Sequence, residues 1–134
     1  MANQLYGLGR DKFANGDLDW VNDTMKLYLV DTDDYSVSID VDEYADDIAA
    51  GAKVATATLA GNSTALGVVD ANDTTFTSVS GDVSEALVIW KDTGTPSTSP
   101  LIAYMDTGTG LPVTPNGGDI TVQWDSGANK IFKL

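Results

Sequence analysis

The apolar positions of this chain recur mostly at a spacing of two, in short runs separated by Gly, Pro, Asn and Asp. Residues 25–31, MKLYLVD, set Met25, Leu27 and Leu29 against Lys26, Tyr28 and Val30, the alternation of a strand. Residues 83–91, VSEALVIWK, place Leu87 and Ile89 on one face and Val88 and Trp90 on the other. Both faces are apolar there, which predicts a strand covered on two sides. Further strands are expected at 53–60, 66–69, 74–79, 101–106 and 120–124, and in the closing KIFKL. Residues 93–100 should link two of these as a long, mobile hairpin loop. Residues 107–119, TGTGLPVTPNGGD, hold too many breakers for regular structure.

Two stretches depart from the period of two. Residues 4–15, QLYGLGRDKFAN, read as a short helix with Leu5, Leu8 and Phe13 on one side and Tyr6 flanking. Asn15-Gly16 supplies its stop signal. Gly7 and Gly9 each weaken such a helix by up to ~1 kcal/mol, so it needs a surface to dock on. Residues 42–49 can make one helical turn with Tyr44 and Ile48 inward. The pattern predicts a mainly β protein, an antiparallel β-sandwich or small barrel of six to eight short strands with a short N-terminal helix. It forms one domain over residues 1–134, residues 1–16 being the helical segment.

Composition narrows the chemistry. With 43% hydrophobic residues in 134, the chain can build a single core. No basic start precedes an apolar run, and no stretch approaches the ~20 apolar residues of a membrane span, so a soluble product made in the cytoplasm is expected. Cysteine and histidine are both absent, which removes disulfides, thiolate metal sites and the commonest general base. Twenty acidic residues against seven basic ones leave a net charge of −13. Such a surface repels nucleic acid and anionic membranes, and neither is expected as a partner.

The abundant aspartates raise the question of calcium. Asp31, Asp33 and Asp34 open a stretch resembling a calcium loop, but Ser36 stands where glycine is needed and Asp42 where a bidentate Glu is usual. Asp70 and Asp73 would need a third ligand; turn-forming aspartate is the plainer reading of all of these. Glu85 has no visible carboxylate partner for glycoside hydrolysis. Ser84 and Glu85 lack the histidine of a triad, and Gly7-Leu8-Gly9 follows no strand and lacks the end of a phosphate loop. Trp20, Trp90 and Trp124 could stack on a sugar, although scattered tryptophans more often fill a core or an interface. No cofactor is expected.

Longer segments carry a resemblance. Leu29-Val-Asp-Thr-Asp-Asp-Tyr35, the run from Ser80 to Gly94, Leu101-Ile-Ala-Tyr-Met-Asp106, the run from Gly110 to Trp124 and the ending from Asn129 to Leu134 resemble a family of short proteins encoded among tailed-phage head and tail genes. The resemblance runs over nearly the whole chain. It implies a virion structural protein without catalytic residues: a capsid cement or decoration protein on the outer head surface, trimeric, with the major capsid protein or other virion proteins as partners. A tail, neck or fibre-tip component is the alternative, as is a module binding carbohydrate on a host surface. Two docking surfaces are expected. One is an N-terminal arm, residues 2–13, presenting Leu5, Tyr6, Leu8 and Phe13; its competitor is a plain helix covering one end of the sandwich. The other is the apolar strand 86–90, with Leu87 and Trp90 at a subunit boundary.

Overall fold

A computed structural model describes residues 3–128 and 130–134. In chain order its elements are β1 (Gln4–Leu5), α1 (Gly7–Ala14), β2 (Met25–Val30), β3 (Lys53–Thr58), β4 (Ser63–Ala65), β5 (Val68–Asp70), β6 (Thr74–Phe76), β7 (Ala86–Lys91), β8 (Leu101–Met105), β9 (Ile120–Val122) and β10 (Phe132–Lys133). Single 3₁₀ turns occupy Ala45–Asp47, Ala50–Ala52 and Pro96–Thr98. The fold is mainly β, with one short helix near the N-terminus.

The central sheet is antiparallel, five strands in the order β1-β8-β7-β2-β3. Its middle strands β2 and β7 are buried along both faces, as the double apolar pattern of 83–91 predicts. One face buries Met25, Leu27, Leu29, Leu87 and Ile89 beneath a second β layer. That layer is split into a three-stranded sheet, β10-β5-β4, and a two-stranded one, β6-β9, which supply Val69, Phe76, Ile120, Val122 and Phe132. The layers face each other as in a sandwich and do not close into a barrel. The strands outnumber the expected six to eight because several are only two or three residues long.

The other face is covered without strands. Tyr28, Val30, Val88, Trp90, Leu101 and Tyr104 pack under Tyr6, Tyr35, Ala45, Ile48 and Ala52, contributed by the N-terminal segment and the irregular stretch 35–52. Of the predicted inward pair there, Ile48 is buried and Tyr44 only half so. Bulges adjust the sheet to its two covers. In β8 the register skips Ile102, so Ile102 and Ala103 both join the first face while Leu101 stays on the second.

The N-terminal segment differs from expectation in a way that geometry explains. Gln4 and Leu5 are an edge strand opposite Tyr104 and Ala103 of β8, and the helix starts only at Gly7. Tyr6 lies between them with extended backbone, and its N–H donates to the Ile102 carbonyl at 2.9 Å. The strand pairing turns the chain so that α1 lies directly on β8. A Cβ at position 9 would stand 2.5 Å from the Leu101 carbonyl oxygen and 3.3 Å from the Ile102 Cα. Gly9, a liability in an isolated helix, is what permits this approach. The stop signal is as expected: Gly16 takes φ +80° just past the helix.

Alanine favours helices over glycine by roughly 1 kcal/mol, but overpacking typically costs about 1–3 kcal/mol. Gly9→Ala should therefore lower the free energy of unfolding by about 1 kcal/mol or more, read as a fall in the urea midpoint. An unchanged or higher midpoint would show that α1 does not press on β8.

Candidate functional site

Most of the residues expected to dock are packed within the chain's own fold. Tyr6 is wholly buried, and Leu5 and Phe13 pack at the margin of the first core. Only Leu8 of that group belongs to neither core, and it is half-buried. Residues 3–13 are thus packed as part of the fold, while residue 2 of the expected arm lies outside the described residues. Leu87 and Trp90 are likewise buried within their own chain. Trp90 stacks on Tyr28 with ring centroids 4.5 Å apart and planes at 13°. Lys26 lies over its ring at 5.9 Å, and Lys53 lies over Tyr28 at 5.1 Å. Burial pushes the Tyr28 hydroxyl up to about 12, so this pair is an uncharged packing element.

Behind the second face runs a hydrogen-bonded chain. The Tyr35 hydroxyl donates to Asp42 Oδ2 at 2.7 Å, and the Tyr6 hydroxyl sits 2.9 Å from that of Tyr35. Because Tyr35 gives its proton to the carboxylate, Tyr6 is the donor to Tyr35. Asp42 Oδ2 also accepts from the Ser38 N–H at 2.9 Å. Burial holds both tyrosine hydroxyls well above the usual phenol range. They do not ionise near neutrality, and the chain fastens stretch 35–52 to the N-terminal segment.

Several aspartates serve local geometry. Asp19, Asp31, Asp47, Asp92 and Asp119 each accept backbone N–H groups, most of them within a few residues in their own turns. Asp73 does the same across chain segments, accepting the Trp124 N–H. The expected mobile loop 93–100 is also tied down. Ser99 Oγ accepts the Thr93 N–H at 3.1 Å and donates to the Thr95 carbonyl at 2.8 Å.

One acidic cluster does form, and sequence spacing alone could not have shown it. Asp82 comes alongside Asp31 and Asp34, one oxygen of each lying within 4.8 Å of the others. Asp33 of the proposed calcium loop is not in this group. Three carboxylates, two of them exposed, fall short of the six to eight oxygens that calcium takes. Glu85 stands nearby, its N–H donating to the Val30 carbonyl. Its Oε1 accepts from the Thr32 N–H and hydroxyl, each at 3.3 Å, while Oε2 is buried with no hydrogen-bond partner among the described residues. Burial raises the Glu85 pKa, and the charges of Asp31 and Asp33 add to the rise against the lowering effect of Thr32.

A cleft of about 890 Å³ opens on the first face. Leu29, Leu87 and Met105 lie at its base, with 107–111, β9 and Trp124 around it. Trp124 is half-buried, and its Nε1 has no acceptor among the described residues. Of the lining side chains only Asp125 and Lys130 are charged, which offers no convergent set of ionisable groups for acid–base work. The three tryptophans share no exposed platform. Trp20 is buried with its Nε1 donating to the Asp70 carbonyl at 3.0 Å, and Trp90 lies in the opposite core.

Glu85 makes a pH dependence testable. Its native pKa lies above the ordinary glutamate value of about 4.3, so the native state holds the proton more tightly than the unfolded chain. The penalty for its charge is absent below that value and grows as pH rises through the native pKa. Glu85→Gln should therefore be more stable than wild type at pH 7, with the difference closing as pH falls towards about 4, measured as urea midpoints across pH. A variant less stable at pH 7 would contradict this.

No protein-family model matches the chain, and no curated protein matches its sequence.

Proposed function

We propose that this chain is a structural protein of a phage particle that works by adhesion, as a capsid cement or decoration protein on the outer shell. The observation that carries the reading is the use made of its reactive side chains. Aspartates hold turns, buried tyrosines stay neutral, and the cleft is almost uncharged. What the molecule offers to others is surface. The resembling segments support the same view, because they supply β7, β8, β9 and one wall of the cleft.

A cement protein acts through binding energy. Contacts spread over a joint between shell subunits must break before the joint opens, and repetition over the shell adds avidity to modest affinity. The acidic surface suits an outer position, away from a packaged genome. The partners of this reading are the major capsid protein and further copies of the chain in a trimer.

The test is reconstitution. Added to shells stripped of minor proteins, the chain should bind at a fixed ratio to capsid subunits and raise the temperature at which the shells open by several degrees, on the order of 1 kcal/mol per joint or more. Binding to tails or fibres with none to shells would move the protein elsewhere in the particle. Binding to neither would contradict the reading.

A further inference from the structure

The hairpin of β4 and β5 ends in the two-residue turn Leu66-Gly67. Both residues take left-handed backbone, with φ +52° at Leu66 and +78° at Gly67. Asparagine or aspartate is the favoured companion of glycine in such a turn, and a bulky side chain there is strained. Leu66 is also 98% exposed. Neither turn chemistry nor the protein's own core accounts for a leucine at this position. The C-terminal Leu134, itself 55% exposed, lies against the same turn, its N–H donating to the Gly67 carbonyl at 2.8 Å. The tip is therefore a small apolar knob.

Charge indicates what it meets. No charged residue occurs from 54 to 69, which includes the turn Leu66-Gly67, or from 107 to 118, which forms one wall of the cleft, although the chain carries −13; the nearest charges are Lys133 opposite Val68 and, at the cleft, Asp125 and Lys130. Two copies repel each other over most of their surfaces and can approach most readily where both are neutral. A basic partner would be drawn to the cluster at Asp31, Asp34 and Asp82 instead. The cleft offers Leu87, Met105, Leu111 and Val122 to an apolar knob.

We propose that the Leu66 hairpin of one copy seats in the cleft beside Trp124 of a second copy. Knob and cleft are different surfaces, so the contact is head-to-tail and builds a closed ring or an open chain of copies. This deepens the adhesion reading, resting on it only for the expectation that copies meet.

The position allows a clean test, because Asn suits the turn better than Leu. Wild type should scatter light as a multiple of 14.1 kDa, and Leu66→Asn should fall to the single-chain mass with an equal or higher melting temperature. The chain has no cysteine, so cross-linking is also clean. Leu66→Cys protein mixed with Thr109→Cys protein, the latter changed at the exposed rim of the cleft, should give disulfide-linked mixed dimers under oxidation, while neither alone does so. Should Leu66→Asn melt lower than wild type, the mixed cross-link decides. A single-chain mass for wild type at every concentration, a wild-type mass for Leu66→Asn, or equal linking of Leu66→Cys to itself would each overturn the proposal. The two readings fail separately. A monomer that still binds stripped shells defeats only this one, and a 66–109 link without shell binding defeats only the other.

Discussion

Burial of β2 and β7 on both faces is the constraint from which the rest of the structure follows. These strands alternate apolar residues to two sides, so the sheet needs two covers, and a chain without cysteine must hold them by packing. The first cover is ordinary for a β protein, small antiparallel sheets laid across the central one. The second is an irregular stretch held at separate points, the Ala45 N–H donating to the Ser99 carbonyl at 2.8 Å and the Leu101 and Gly7 N–H groups to the Glu43 and Ile39 carbonyls at 2.9 Å. Tyr6, Tyr35 and Asp42 add an attachment from inside, and at the surface Lys12 reaches Glu43 at 2.9 Å. Tyr6 therefore belongs to the core of the molecule although it stands near one end of the chain.

The same economy governs charge. Cations are mostly engaged: Lys26 with Asp92 at 2.9 Å, Lys91 with Asp23 at 3.1 Å, and Lys53 over Tyr28. Many aspartates have a carboxylate oxygen committed to a turn, yet their charge still faces water, which leaves the outside strongly acidic. Against that background the hairpin tip and the cleft, which carry few charges, stand out as the surfaces where association carries the least repulsion.

Local periodicity made part of this legible. The faces of β2 and β7 follow directly from alternation, because a strand's side-chain direction depends on nothing beyond its own backbone. The N-terminal helix is where the pattern puts it, but its expected first residues differ for the opposite reason. Gln4-Leu5 is a strand only because β8 offers it an edge, and Gly9 has its purpose only once β8 lies beneath it. β4 was missed because Ser63-Thr-Ala65 carries no apolar signal and is set by its pairing with β5. The turn role of the aspartates was visible, whereas the meeting of Asp82 with Asp31 and Asp34 depends on tertiary placement. Trp90 was seen as apolar on a two-faced strand, but whether its second face met a partner or the chain itself lay with residues 35–52, whose pattern is weak.

Residue-resolved hydrogen exchange on the intact protein tests the central claim most directly. Amides of β2 and β7 should exchange slowest, and the Tyr6 amide, bonded to Ile102, should exchange at the rate set by global unfolding. Rapid exchange at Tyr6 while β2 and β7 stay protected would show that the second cover lifts away from a folded sheet, and would contradict the account.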